Sequence, residues 1–146
     1  MPPMGLSIRS ATANDLPAII HLLSQLGYEL DQVEAKQRFA SVIAAASHAI
    51  LAPELHGKVV ALLHLYERPA LEKPPEIVVQ ALVVDMAVRQ AGIGEAMMAR
   101  AEAWAADRGY PSVTLGSEVS RLGSHAFYQS LGYAASATSR LFRKSL

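Results

Sequence analysis

The sequence predicts an α/β fold, a mixed central sheet flanked by helices in the order β-α-α-β-β-β-α-β-α-β. Three observations carry this. Strand-like and helix-like apolar patterns interleave along the 146 residues, with no internal repeat or low-complexity tract. The β-branched run from Ile77 to Val84 passes through a glycine-containing loop directly into a helical pattern, the unit from which α/β sheets are built. A hairpin in the middle of the chain interrupts the β-α alternation, so the sheet is mixed rather than all parallel.

In chain order, Leu6-Ser7-Ile8-Arg9 alternates and reads as the first strand. Thr12 is a helix cap with Asp15 three residues on. Leu16, Ile19, Ile20, Leu23 and Leu26 form one apolar stripe, which Gly27 ends. Tyr28-Glu29-Leu30 links to a second helix from about Asp31 to Ala46, its buried side expected at Val33, Phe39, Val42, Ile43 and Ala46. His48 to Leu55 and Val59 to Tyr66 form the hairpin around His56-Gly57-Lys58. Residues 67–75 carry three prolines and read as a loop. After the central strand comes a helix with Ile93, Met97, Ala101 and Trp104 on its apolar side, closed by Gly109. Ser112 to Leu115 is a strand, Ser124 to Leu131 a short helix capped by Gly132, and Tyr133 to Phe142 a last strand or broken pair. The chain is expected to be one domain, 1–146.

Composition narrows the function. Apolar residues make up 51 % of the chain, yet no run approaches the ~20 residues of a membrane span. Met1-Pro2-Pro3-Met4 has no signal-peptide pattern, and with no cysteine anywhere a cytoplasmic protein is expected. The absence of cysteine also excludes a thiol nucleophile and a cysteine metal site. Net charge is zero, so generic nucleic-acid binding has no electrostatic support. Charge is uneven: residues 1–85 hold nine acids against six bases, and residues 86–146 four against seven. An anionic cofactor held by the second half would suit this balance.

The stretch that carries chemistry is Leu82-Val83-Val84 followed by Arg89-Gln90-Ala91-Gly92-Ile93-Gly94-Glu95. A strand, a glycine loop and a helix N-terminus in that order make an anion site: the first helix amides lack intrahelical partners, and the dipole favours negative charge. Glycines allow close backbone approach, and Arg89 can add a charge-assisted bond to a phosphate. A dinucleotide fingerprint would need glycine where Met97 stands, and a Walker loop would need Lys-Ser/Thr in place of Glu95-Ala96. The glycines could also simply turn the chain.

Arg-x-x-Gly-x-Gly after an apolar strand resembles motif A of the GCN5-related N-acetyltransferases, the GNAT superfamily. Ala126-Phe127-Tyr128-Gln129-Ser130-Leu131-Gly132-Tyr133 resembles the same family's motif B. The element order also matches that fold over essentially the whole chain. The resemblance implies that acetyl-CoA is the co-substrate, without a metal, and that Arg89, Gln90, Ala91, Gly92, Gly94 and Glu95 wrap its pyrophosphate. It implies that Leu82 and Val84 pair their backbone groups with the pantetheine arm, so the neighbouring strand must splay away there. Tyr128 is then the residue that protonates the departing thiolate; Phe127 and Tyr133 are read as packing.

The attacking amine must also lose a proton. Where many relatives carry an acid two residues before Leu82, this chain has Gln80, which can orient substrate but cannot act as a base. Glu76, Glu118, His64 and His125 are the substitutes. Another departure is Gly123, where many relatives place a cofactor-contacting Asn. Tyr28, in the link between the first two helices, is expected with Gln80 to meet the acceptor. Leu26-Gly27-Tyr28 also resembles a bacterial branch that includes aminoglycoside acetyltransferases. The sequence thus points to acetyl transfer onto a small-molecule primary amine, in a chain expected to bind neither nucleic acid nor membrane, with a homodimer left open. Two rivals stand: a protein lysine or N-terminal acetyltransferase, and an acyl-CoA-binding module without catalysis, which Gln80 favours and Tyr128 opposes.

Overall fold

The computed structural model describes residues 2–89, 91–116 and 122–146. It divides into two compact units, Met1–Gly116 and Ser117–Leu146. The first holds a six-stranded mixed sheet in the order β1 (Leu6–Ser10), β2 (His48–Leu55), β4 (Ala61–Arg68), β5 (Glu76–Val84), β6 (Val113–Leu115), with the two-residue β3 (Lys58–Val59) on β2. Neighbours are antiparallel except β5 and β6, which run parallel. Helices α1 (Leu16–Gln25), α2 (Gln32–Ala44) and α3 (Ile93–Asp107) pack on the sheet.

The apolar stripes decide how the helices sit. Ile19 and Leu22 of α1 are buried in one cluster with Ile50, Ala52, Leu62 and Val83 of the sheet, and Phe39 and Val42 of α2 pack against it. Leu22, which the stripe read from the sequence left out, is only 1 % exposed. Along a strand successive side chains alternate in direction. Leu63 and Leu65 therefore point away from that cluster, and they too are fully buried, so both faces of β4 are covered. In α3 the buried residues are Ile93, Met97, Met98, Ala101 and Ala105. Trp104 lies at the edge, with the Arg108 guanidinium 3.8 Å above its ring.

Several expectations need correction. Val33 and Ile43 of α2 are exposed, and Ala46 lies beyond the helix end. The inward stripe is Ala35, Phe39 and Val42, spaced i, i+4, i+7, and positions 33 and 43 fall off it. The turn of the hairpin is two residues, His56 (φ +52°) and Gly57 (φ +82°), the paired positive angles of a type I′ turn. Lys58 already belongs to a strand. No strand forms among residues 134–146, where one was expected. The stretch Ala134 to Ser139 is small and polar, and Leu141 and Phe142 are exposed, so there is little apolar area to hold a strand in place.

The second unit carries helix α4 (Leu122–Ser130), longer at its start than expected and stopped by Gly132. The Gly132 and Tyr133 amides bond back to the Gln129 and Tyr128 carbonyls, which closes the helix end.

Candidate functional site

The loop after β5 is built as an anion site must be. Gly92 is the N-cap of α3 and adopts a left-handed conformation, φ +82° and ψ +9°. A residue with a Cβ pays about 1–2 kcal/mol to sit there. The first intrahelical bond is Ala96 N–H to the Gly92 carbonyl, so the amides of Ile93, Gly94 and Glu95 precede the ladder. Glu95 is exposed in the first turn, where its charge suits the dipole. Arg89 is exposed, and its Nε donates to the Val84 carbonyl at 3.1 Å, which leaves the terminal guanidinium nitrogens for a ligand.

Two residues that sequence reasoning missed hold this loop. The Asp85 carboxylate accepts from the Ala87 amide at 3.0 Å and from the Gln25 side chain at 3.3 Å. The Gln25 carbonyl oxygen accepts from the Met86 amide at 3.0 Å. The end of α1 is thereby tied to the start of the loop. Accepting the Ala87 amide holds the Asp85 carboxyl below its usual range.

The strand leading into the loop is paired with β6 over only part of its length. β5 pairs with β6 only at Ile77–Val113, Val78–Thr114 and Val79–Leu115. Beyond Val79, the residues Gln80 to Val84 have no pairing on that side among the described residues, although Ala81 to Val84 keep their partners on β4. Leu82 and Val84 lie in this stretch. Gln80 itself is a bulge: His64 faces Ala81 and Leu65 faces Val79, which leaves Gln80 as the extra residue.

Against the other end of the same stretch lies a cavity of about 410 Å³, within the usual small-molecule range of ~300–1,000 Å³. It is lined by Tyr28, His64, Gln80 and Ala81, and by apolar side chains of α1 and α2. Tyr28 and Gln80, named from sequence as acceptor-binding, therefore meet at one cavity, and His64 is there with them. Tyr28 is placed by the end of α1, where its amide bonds to the Leu23 carbonyl behind the left-handed Gly27.

Sequence reasoning missed the partners of His64. His48 Nδ1 and His64 Nε2 lie 2.9 Å apart and share one hydrogen, so one ring donates and the other accepts. His48 stacks on Tyr66 with ring centroids 5.0 Å apart and planes 15° from parallel. Burial, reinforced by repulsion from His48, lowers the His64 pKa to about 4. His64 is thus neutral at neutral pH and a weak proton acceptor. The unfolded chain takes up a proton near pH 6.5, whereas the folded protein does so only near pH 4. Stability therefore falls as pH drops through that window. At a half-buried ring, solvent screening reduces the loss to about 1–2 kcal/mol. Chemical denaturation at pH 7.5 and pH 4.5 measures it, and His64→Gln should flatten this part of the profile. Carboxylates with lowered pKa, such as Asp15 beside Arg9, act at still lower pH.

The remaining candidate bases separate. Glu76 accepts from Arg68 at 2.7 Å and lies 3.3 Å from Lys73, which lowers its pKa and weakens it as a base. His125 is on α4 in the second unit. Gln90 and Glu118 lie outside the described residues. Gly123 falls within α4. In the second unit, Tyr128 is half-buried and meets Phe127 and Tyr133 edge-on, at centroid distances of 5.1 and 6.2 Å. Among the described residues no cluster of three or more His, Asp or Glu side chains could hold a metal, and no helix is long and apolar enough to cross a membrane.

A model of the acetyltransferase (GNAT) family matches residues 16–133. The chain belongs to the GNAT acetyltransferase family. No curated protein matches this GNAT chain. Solved structures do. A protein assigned as an acetyltransferase from Agrobacterium tumefaciens str. C58 is 29 % identical, with a TM-score of 0.85 over 94 % of this chain and 99 % of that one. A transcriptional regulator from Bacillus halodurans C-125 is 21 % identical, with a TM-score of 0.87 over 95 % and 99 %. An aminoglycoside N-acetyltransferase in complex with CoA is 16 % identical, with a TM-score of 0.86 over 97 % and 95 %. The last two show that this GNAT chain shares their fold.

Proposed function

We propose that the protein is an acetyl-CoA-dependent N-acetyltransferase acting on a small-molecule primary amine. The observation that carries this reading is the edge of β5 from Gln80 to Val84, unpaired towards β6 among the described residues, which runs from a small-molecule cavity to a helix N-terminus capped by a left-handed glycine. Backbone groups of Leu82 and Val84 would hold the pantetheine arm as an added strand. Arg89, Gln90, Ala91, Gly92, Gly94 and Glu95 would hold the pyrophosphate, mainly through backbone amides and the Arg89 guanidinium. CoA bound to a neighbour of the same fold supports the choice of co-substrate.

The reaction is direct. The amine nitrogen attacks the thioester carbonyl, a C–N bond forms, and the C–S bond breaks. The amine gives up one proton, and the departing sulfur receives one from the Tyr128 hydroxyl. No acyl-enzyme is needed, in keeping with a chain that has no cysteine. His64, at the cavity with Gln80, is the candidate to take the amine proton, a weak one because burial lowers its pKa, and Gln80 orients the amine.

Titration calorimetry with acetyl-CoA, combined with thiol release over a panel of amines, tests the reading. Binding with turnover is expected. Binding without turnover on any amine would favour a CoA-binding module, the alternative that Gln80 keeps open. Arg89 gives a finer check. Arg89→Ala should cost CoA about 1.5–3 kcal/mol and dephosphorylated pantetheine much less, since a charge-assisted bond is lost only where there is phosphate. Equal losses would mean that Arg89, through its bond to Val84, supports the fold instead.

A further inference from the structure

The structure assigns the cavity beside Gln80 to a hydrophobic amine carrying a single basic nitrogen, and not to a polycation of the aminoglycoside or polyamine kind. This rests on the acetyltransferase reading for the reaction, but the argument for the ligand is independent of it.

The walls come first. Apolar side chains, among them Ile19, Leu23, Phe39, Val42, Ile50 and Leu62, supply most of the lining. The stacked rings of His48 and Tyr66 also line the cavity and add aromatic surface to it. Such a surface binds by burying apolar area, and a polyhydroxylated, multiply charged ligand has little of that to offer.

Charge points the same way. Among the described residues that line the cavity there is no carboxylate. The polar lining is Tyr28, His48, His64, Tyr66 and Gln80, and the one full charge is the cation Arg38 on α2. Arg38 is 67 % exposed, and Glu34, 46 % exposed and 3.5 Å away, is its partner across one helical turn. That carboxylate lies outside the cavity and is already engaged. The His48–His64 pair adds no negative charge either. An ammonium entering this space would lose its hydration without gaining a counter-ion, and a second ammonium would also meet Arg38. The neutral amine avoids the penalty, and it is the form that can attack a thioester. The cavity thus selects the reactive protonation state by lacking a carboxylate.

The experiment compares four probes on the protein saturated with CoA: 2-phenylethylamine, its uncharged isostere 2-phenylethanol, spermidine and kanamycin. Calorimetry or ligand-observed NMR at neutral pH reads binding, and thiol release from acetyl-CoA reads transfer. The alcohol should bind at least as tightly as the amine, and both at least about tenfold more tightly than either polycation, since each unpaired charge costs at least that factor. Gln80→Glu, a change at an exposed bulge residue, should shift the preference towards spermidine by supplying the missing anion. Tighter binding of spermidine or kanamycin than of 2-phenylethylamine would overturn the assignment, as would failure of both phenylethyl probes to bind. Binding of both phenylethyl probes without transfer to any amine tested would uphold the cavity assignment and overturn the acetyltransferase reading.

Discussion

Tyr128→Phe is expected to lower kcat by about 10²-fold while acetyl-CoA affinity changes little. The substitution removes one hydroxyl and keeps the ring, so the edge-on contacts with Phe127 and Tyr133 persist. A hydroxyl that protonates a leaving thiolate works chiefly in the transition state, and an interaction of that kind is lost from kcat and not from binding. General-acid help is commonly worth ~10²–10⁴-fold, and the lower end applies because a thiolate leaves readily and water can protonate it. Steady-state kinetics with thermal melting separates the possibilities. A fall in turnover at constant melting temperature and constant acetyl-CoA affinity is the expected result. A lower melting temperature with weaker binding would make the hydroxyl structural, and unchanged turnover would remove Tyr128 from the mechanism.

Gly92→Val is expected to weaken acetyl-CoA binding by at least about 100-fold, the larger of two separable effects. The first effect is backbone strain. At φ +82° a β-branched residue costs about 1–2 kcal/mol or more, which lowers the melting temperature of a chain this size by roughly 3–8 °C. The second is a side chain placed where the pyrophosphate must approach the backbone. Gly92→Asn isolates the second, because Asn tolerates the left-handed conformation. Asn should hold the melting temperature near that of the parent and still lose most of the affinity. Calorimetry showing unchanged affinity in either folded variant would end the assignment of this loop to phosphate.

The parts of the fold that follow from local pattern were legible. The run from Ile77 to Val84, the Gly92 turn and the helix beyond it follow from β-branching, positive φ and helical periodicity, each acting within a few residues. Tyr28 and Gln80 could be named because a motif fixed their positions relative to Leu26-Gly27 and Leu82. The histidine cluster was hidden for a physical reason. Extrapolation from the Leu55–Lys58 pair at the turn would set His48 opposite Leu65. The chain slips at Val60, whose amide bonds to the Pro53 carbonyl, and His48 instead faces Tyr66. That one-residue shift moves a whole set of side chains to the other face, and no local pattern records it. The second irregularity, at Gln80, likewise brings Gln80 and Ala81 together on one cavity. The Gln25–Asp85 tie joins residues 60 positions apart and was equally invisible. The last strand failed for the opposite reason: Tyr133 to Phe142 has length enough but too little apolar area.

Acetyl-CoA and a hydrophobic small amine are expected to react on this protein to give an amide. Mass spectrometry of a mixture of protein, acetyl-CoA and 2-phenylethylamine, with thiol titration in parallel, tests it most directly. The expected result is N-acetylated amine with one free thiol released for each amide formed, at a rate far above the protein-free control and reduced by Tyr128→Phe. Tight acetyl-CoA binding with no amide formed from this amine, from a polyamine or from a lysine peptide would contradict it.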